Sequence, residues 1–126
     1  MREILVVGAG GFIGAVARYL LSGWVQRLAG HSFPLGTWAV NVVGCLALGA
    51  LMGLADTRLA LTAEARLFLG IGVLGSFTTF STFGYETIEL VRGSETALAL
   101  GNVAANLIVG FGAVILGRAL ARWVMG

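Results

Sequence analysis

Long stretches without any charged residue constrain this chain more than any other feature of its sequence. Residues 28–55, 67–85 and 96–117 contain no Asp, Glu, Lys or Arg, and Glu3 and Arg18 bracket a further run. A helix needs about 20 predominantly apolar residues to cross the hydrocarbon core of a bilayer. The pattern predicts an all-α membrane protein whose four transmembrane helices lie near 4–25, 35–55, 66–91 and 96–122.

The composition indicates a surface covered largely by lipid. Hydrophobic residues make up 58% of the 126 positions and charged residues 11%, whereas soluble domains carry about 25% charged residues. We expect one transmembrane domain, 1–126, located in the cell membrane as a multi-pass protein. A cleavable signal peptide is not expected, because the first span lacks a Lys/Arg-rich start and an A-x-A-like site.

The basic residues are all arginines and are divided only weakly between the two sides of the membrane. An even number of spans puts both termini on one side, with five of the eight arginines there and three opposite. The two groups are Arg2, Arg58, Arg66, Arg118 and Arg122, against Arg18, Arg27 and Arg92. Lys/Arg bias orients membrane proteins, so this split favours insertion in both orientations. The sequence contains no basic patch with interleaved aromatics, which is the pattern that would predict a nucleic-acid partner.

The string ILVVGAGGFIG near the N-terminus resembles a dinucleotide-binding turn, but its context excludes that interpretation. Such a turn requires a second strand ending in an acid about 20 residues further on, and the next acid here is Asp56. Glycines four apart let membrane helices approach closely. We therefore interpret Gly10 with Gly14, and Gly49 with Gly53, as helix-contact motifs.

Polar residues recur on one face of two predicted spans. Thr37 and Asn41 are four residues apart in the second span, and Asn102 and Asn106 are four apart in the fourth. Polar side chains in lipid should face protein or a water-filled path. A single Asn is most simply a hydrogen-bonded link between helices, whereas two such stripes favour a polar path. We expect the lone Cys45 to be a packed side chain.

The third predicted span carries the most informative string. Glycines at 70, 72 and 75 precede SFTTFSTF, residues 76–83. Glycines followed by β-branched residues weaken a helix, so we expect a break at mid-membrane, for which the family resemblance given below implies the bounds Gly75 to Thr78. A broken helix can offer its carbonyls to a cation and its new N-terminus to an anion. Phe80 and Phe83 share a face; core packing is the default explanation, but the surrounding hydroxyls favour a path.

Together these strings resemble the Fluc (CrcB) family of fluoride channels over the whole chain. The resemblance rests on GAVARY from Gly14, on PLGT from Pro34 leading to Asn41, and on TTFSTF at 78–83 followed by Glu86. It implies a fluoride-selective channel that passively exports fluoride and lowers cytoplasmic fluoride. It also implies an antiparallel, dual-topology homodimer with two separate fluoride paths, which fits the weak arginine bias.

The resemblance also assigns roles to residues of the third and second spans. Phe80 and Phe83 correspond to the phenylalanines whose ring edges face fluoride, and Asn41 to an asparagine that contacts the anion. The backbone carbonyls of Gly75 and Thr78 correspond to those that hold a structural Na⁺ at the dimer centre. An aromatic ring carries a positive edge, so these roles are physically reasonable.

Further residues are expected along the fluoride path because ring edges alone are weak partners for a strongly hydrated anion. Hydroxyls of Ser81 and Thr82 should supply stronger hydrogen bonds, and Thr37 lies on the same face as the anion-contacting asparagine. Asn106 occupies the polar stripe of the fourth span. Arg18 matches the family's vestibule arginine and would raise the local anion concentration.

Other functions remain as alternatives. A small dual-topology multidrug or cation antiporter also has four short spans, but it needs a carboxylate within the first span, where only Glu3 lies at the edge. A packing subunit without transport is a third possibility. An enzyme is not expected, since there is no Ser/His/Asp set and His31 is alone in a predicted loop. Glu86 either gates by protonation or lines a wet vestibule; we favour the vestibule.

Overall fold

All regular structure in the computed structural model is helical over the described residues, 1–30, 32–56 and 61–125. Within them, four helices are long and apolar enough to cross a membrane: Arg2–Ala29, Leu35–Ala55, Ala63–Arg92 and Thr96–Met125. We call them the first to fourth spans. The prediction of four membrane helices is confirmed. The largest difference in a boundary is at the end of the first span, which is Ala29 in the structure and residue 25 in the prediction. The loop prediction for His31 and the side assigned to Arg58 fall outside the described residues.

The first span packs against the third through its glycines. A Cβ on Gly10 would lie 2.5 Å from the carbonyl oxygen of Phe68, and one on Gly14 would overlap the carbonyl of Val73. Contact at this distance is possible only where a side chain is missing. The interpretation of Gly10 and Gly14 as a helix-contact motif is confirmed, and their helical backbone excludes a nucleotide-binding turn.

The second span packs against the fourth by the same means. A Cβ on Gly49 would lie 2.9 Å from the Cα of Val114, and one on Gly53 would lie 2.7 Å from the carbonyl oxygen of Arg118. From the other side, a Cβ on Gly117 would overlap the second-span backbone. The two glycine motifs therefore join the four helices into two tightly packed pairs.

A side chain that the sequence did not single out closes the loop between the first two spans. The amide nitrogen of Gln26 donates to the carbonyl oxygens of Gly30, at 2.5 Å, and Phe33, at 3.0 Å. Its oxygen accepts the N–H of Gly36 at 3.0 Å, which is one of the unpaired amides at the start of the second span. Gln26 thereby fixes where the second span begins relative to the first.

The opposite end of the bundle is tied by ion pairs. The carboxylate of Asp56, after the second span, accepts from Arg118 at 2.7 Å and from Arg122 at 2.6 Å. Near the N-terminus, Arg2 pairs with Glu64 at 2.9 Å. At this side of the bundle, the ends of all four helices therefore carry charged residues, which the apolar stretches of the spans lack.

The third span is irregular in two places. Residues Leu67–Leu74 follow a wide helix with hydrogen bonds to the fifth residue back, and Gly75–Phe77 is α-helical. Thr78 and Thr79 are then extended, with ψ of 158° and 108°, before Phe80–Arg92 resumes as an α-helix. Of the expected break, Gly75 to Thr78, the backbone departs from helical geometry at Thr78 and then at Thr79, whereas Gly75–Phe77 stays α-helical. We call these two residues the interruption.

Candidate functional site

The interruption is held by a side chain from the second span. Asn41 accepts the N–H of Thr79 on its Oδ1 at 2.8 Å and donates its Nδ2 to the carbonyl oxygen of Thr79 at 3.2 Å. A carboxamide carries one acceptor and one donor group, so it can pair with both polar groups of one extended residue. Asn41 therefore supplies the hydrogen bonds that the helix would otherwise make at Thr79.

Two side-chain hydrogen bonds take the helical donors of two backbone carbonyls, one before the interruption and one within it. In a continuous helix the N–H of Thr79 would bond the carbonyl of Gly75, and that of Thr82 the carbonyl of Thr78. Here the Thr79 N–H goes to Asn41, and the Thr82 N–H goes to the side chain of Thr79 at 3.2 Å. The carbonyls of Gly75 and Thr78, the two that the resemblance assigns to a cation, thus lose their helical donors.

Thr79 also caps the helix that follows it. Its Oγ1 accepts the N–H of Thr82 and donates to the Thr82 hydroxyl oxygen at 2.9 Å. A threonine at the N-cap of a helix, bonded in this way, pairs with one of the free backbone amides of the first helical turn. The remaining amides of the first turn carry the positive end of the helix dipole, and this end lies beside Phe80.

The two phenylalanines lie together in the lining of a cleft. Their ring centroids are 5.6 Å apart with the planes inclined by 55°, yet Phe83 is 8% exposed and Phe80 is 81% exposed. The cleft, about 280 Å³ in volume, separates the third span from the second and fourth. It is lined by six of the predicted site residues, Asn41, Gly75, Thr78, Phe80, Phe83 and Asn106. We call it the phenylalanine cleft.

Three other predicted residues line a second cleft, of about 220 Å³, which we call the arginine cleft. Arg18, Thr37 and Thr82 form its polar wall, together with Thr79. Thr79 lines both clefts, so the interruption is their common boundary. The sequence analysis did not assign Thr79 to the site, although the Thr79 hydroxyl is one of those that favoured a polar path there. Ser81 lines neither of these clefts and is exposed.

A third cleft, of about 400 Å³, is acidic. Glu86, Glu89 and Glu95 line it. Glu86 accepts a hydrogen bond from the Thr37 hydroxyl at 2.8 Å through Oε1. Its Oε2 is buried and has no hydrogen-bond partner among the described residues. Since Thr37 lines the arginine cleft, the Thr37–Glu86 bond stands between the two clefts. This position fits the wall of a vestibule.

A chain of hydrogen-bonded amides, of which Asn102 is fully buried, extends from Asn41 into the fourth span. Asn41 donates to Asn106 at 3.1 Å, and Asn106 donates to both the backbone carbonyl and the side-chain oxygen of Asn102 at 3.0 Å. Asn102 in turn donates to Thr87 at 2.9 Å, which donates to the Phe83 carbonyl at 2.8 Å. The asparagine stripe was predictable from the sequence, whereas nothing in the pattern pointed to Thr87, whose partner Asn102 is 15 residues distant.

The potential for metal binding follows from the type of ligand present. Within residues 1–30, 32–56 and 61–125, no three His, Cys, Asp or Glu side chains come together to hold a metal ion. The oxygen groups at the interruption are backbone carbonyls and threonine hydroxyls, and oxygen ligands of this kind suit hard cations such as Na⁺ rather than transition metals. The freed carbonyls of Gly75 and Thr78 therefore fit the kind of cation that the resemblance implies. The free Cys45 is half-buried beside the phenylalanine cleft.

Four apolar helices around polar clefts, with an interruption braced from a neighbouring helix, define a multi-pass membrane protein with the features of an ion-conducting pathway. The chain belongs to the CrcB family. The family model described as "CrcB-like protein, Camphor Resistance (CrcB)" matches residues 5–118.

Similar proteins cover the whole chain. The fluoride-specific ion channel FluC of Maridesulfovibrio salexigens is 41% identical over 125 residues, 99% of each chain. The FluC of Chloroflexus aurantiacus is 42% identical over 126 residues, 100% of each. The FluC of Agrobacterium fabrum is 46% identical over 122 residues, 97% of this chain and 98% of its own. The family assignment from the sequence is confirmed.

Proposed function

We propose that the protein is a fluoride-selective channel of the cell membrane that exports fluoride passively and so lowers its cytoplasmic concentration. The observation that carries this proposal is the junction at the interruption. There, Thr79 joins the cleft that holds the paired phenylalanines to the cleft that holds Arg18. Full-length similarity to proteins named fluoride-specific ion channels supports the choice of anion.

The path would offer fluoride a graded set of partners. Arg18 attracts the anion into the arginine cleft, where the Thr82 hydroxyl can donate to it, because its oxygen already accepts from Thr79. Beyond the interruption, Phe80 and Phe83 present ring edges, which are the positive parts of an aromatic ring. Ser81 is exposed on the same helix and can donate at a surface that a partner covers.

The working unit would be an antiparallel homodimer of dual topology. Phe80 is 81% exposed, Gly75 is exposed as well, and both border the phenylalanine cleft. Carbonyls without partners are costly in lipid, by several kcal/mol each. A second copy of the chain laid against this surface would exclude lipid from the interruption, which we place at mid-membrane. The 5-to-3 arginine split is compatible with opposite insertion of the two copies.

A structural Na⁺ would sit where the two copies meet. The carbonyl oxygens of Gly75 and Thr78 would hold it, because their helical donors are engaged elsewhere. When bound, such a cation supplies a fixed positive charge that favours an anion nearby. The chain's own part is to keep helical donors away from these carbonyls, through the Asn41–Thr79 pairing and the Thr79 cap.

The test is fluoride release from liposomes that contain the purified protein. Addition of a potassium ionophore should release fluoride rapidly while chloride is retained. No fluoride release, or equal release of chloride, would refute the channel. Phe80→Ile should lower the flux while the dimer persists on cross-linking. Exchange of Na⁺ for a larger cation during reconstitution should lower the flux if the carbonyl site is occupied.

The antiporter alternative has less support. It requires a carboxylate within the first span, and Glu3 lies exposed at the start of that helix. The half-buried carboxylate of the clefts, Glu86, is on the third span and is bonded to Thr37. Family membership also favours a channel over an antiporter. An antiporter would show proton-coupled uptake of organic cations in the same liposomes.

A further inference from the structure

We propose that Gln26 is a positioning residue for the fluoride path, which holds the first turn of the second span so that Thr37 lies between the arginine cleft and the acidic cleft. This inference rests on the proposed function for what the path conducts. Gln26 lines the acidic cleft, and Thr37 lines the arginine cleft. The two side chains belong to different spans, so the link between them is the backbone at the start of the second span.

The second span has no side chain of its own to cap its start. Its N-cap residue is Pro34, which makes no side-chain capping hydrogen bond. The first N–H groups of a helix have no partner within that helix and must find one elsewhere. The N–H of Gly36 is one of these groups, and Gln26 accepts it on Oε1 at 3.0 Å. Gln26 therefore does for this helix, from the first span, what the side chain of an N-cap residue normally does.

The orientation of the Gln26 amide is fixed by the loop that it closes. A carboxamide has two N–H donors and one acceptor oxygen. The nitrogen of Gln26 donates to the carbonyl oxygens of Gly30 at 2.5 Å and Phe33 at 3.0 Å, which leaves its oxygen directed at Gly36. A flipped amide would set its oxygen against two carbonyl oxygens. All three partners are backbone groups, so the position of Gln26 does not depend on another side chain.

Close packing occurs at the same point as the hydrogen bond. A Cβ on Gly36 would overlap the carbonyl oxygen of Ser22 and lie 3.2 Å from the Cβ of Gln26. The first turn of the second span therefore lies directly on the first span. Thr37 is the next residue and is 5% exposed. Its place is consequently set by the first span on one side and by Glu86, at 2.8 Å from its hydroxyl, on the other.

The place of Thr37 determines how the two clefts are separated. Thr37 is part of the wall of the arginine cleft and Glu86 is part of the wall of the acidic cleft, and the hydrogen bond between them crosses the boundary. Without the Gln26 amide, the buried Gly36 would keep an N–H without a partner, which is costly. The first turn would then loosen, and Thr37 would move away from Glu86 although neither side chain had changed.

The test is a double-mutant cycle of Gln26→Met and Thr37→Val, measured as fluoride flux in liposomes. Met keeps the unbranched shape of Gln26 without the amide, and Val keeps the shape of Thr37 without the hydroxyl. We expect each single variant to lose roughly fivefold in flux. In the Thr37→Val background, Gln26→Met should lower the flux by less than about twofold, because no hydroxyl is left to position.

Two further variants separate positioning from loss of stability. Val40→Ala, at a side chain with 0% exposure, should lower the melting temperature and conduct as the parent does. Gln26→Lys keeps donors for the carbonyls of Gly30 and Phe33 but has no acceptor for the Gly36 N–H. It should stay folded and lose flux as Gln26→Met does, and it replaces Gln26→Met in the cycle if that variant does not fold.

Hydrogen exchange at the Gly36 amide gives a readout independent of transport. This amide should exchange roughly fivefold faster in Gln26→Met and Gln26→Lys, and at the parent's rate in Thr37→Val. Parent-like exchange in both Gln26 variants would overturn the inference. So would an equal fold loss of flux with and without the Thr37 hydroxyl, or Gln26 variants that melt earlier and conduct as the parent does. A parent protein that carries no fluoride would instead refute the channel proposal, and the role of Gln26 in the path with it.

Discussion

Gly44 offers a way to disturb the interruption from the second span without changing any polar group. A Cβ at Gly44 would overlap the Cγ2 of Thr78 and lie 3.3 Å from a ring carbon of Phe77. Thr78 cannot simply rotate away, because its hydroxyl donates to the Leu74 carbonyl at 3.1 Å. We therefore expect Gly44→Ala to displace the extended residues themselves.

The size of this effect follows from three contributions. Overpacking a tight contact costs about 1–3 kcal/mol, and loss of the Thr78 hydrogen bond costs about 1 kcal/mol more. Alanine in place of a helical glycine returns about 1 kcal/mol. The net destabilisation expected for Gly44→Ala is therefore about 1–3 kcal/mol. Fluoride flux should fall as well, since the displaced carbonyls belong to the proposed cation site.

The assay is a double-mutant cycle with Thr78→Ser, which removes the Cγ2 and keeps the hydroxyl. Thermal unfolding in detergent and fluoride flux in liposomes are measured for both single variants and the double variant. Gly44→Ala with Thr78→Ser should recover at least about 1 kcal/mol relative to additivity. Gly112→Ala, where an added Cβ meets nothing within 4 Å, is the control for helix propensity. Additive behaviour in the cycle would show that the overlap at Thr78 is not what limits Gly44.

Three further predictions concern other parts of the chain. Hydrogen bonds from two arginines lower the pKa of the Asp56 carboxyl below its usual value. The ionised carboxylate therefore stabilises the fold above about pH 4, and this stabilisation is lost as the pH falls through the lowered pKa. Asp56→Asn should melt earlier than the parent at pH 7 and at the same temperature as the parent in acid. Glu86→Gln keeps an acceptor for Thr37 and should leave the pH profile of flux unchanged; a flattened profile would show that protonation of Glu86 gates the path. Gly14→Ala would push against the Val73 backbone and should cost about 1–3 kcal/mol in unfolding experiments; an unchanged melting curve would contradict the close first-to-third span contact.

The spans were predictable because lipid excludes charged residues over the whole length of a helix. The resulting charge-free runs can be recognised in the sequence without knowledge of tertiary contacts. Their ends were less predictable. The first helix continues to Ala29 because Gln26 bonds the carbonyls of Gly30 and Phe33 and supports the turn beyond the apolar run. Hydropathy records where lipid begins, whereas the helix ends where its backbone groups find other partners.

The glycine motifs show a different limit. Gly10 and Gly49 were each predicted to let another helix approach, and both do. The identity of that helix was not predictable, because a backbone contact made possible by a missing side chain carries no complementary pattern in the partner. The third span meets Gly10 and the fourth meets Gly49 through main-chain atoms that any residue would supply.

The asparagines illustrate why site residues can be found by sequence while their roles stay open. Asn41 and Asn106 were expected on a polar path, and the structure places both on the phenylalanine cleft. Whether an amide binds an anion or a neighbouring group depends on which donors remain free, and that number is set by partners far along the chain. Here the partners of Asn41 are 38 and 65 residues away.

The position of the interruption shows which interaction breaks the helix. Glycines at 70, 72 and 75 predicted the weak point, but this stretch stays helical, with hydrogen bonds widened to the fifth residue back over Leu67–Leu74. Helical geometry ends where a side chain takes a main-chain group: Asn41 takes the Thr79 N–H, whereas the Leu74 carbonyl keeps its helical donor, the Thr78 N–H, and accepts the Thr78 hydroxyl as well. Hydroxyl and amide side chains act in this way on local backbone. Glycine permits the helix to deform, and Asn41, from another span, decides where it opens.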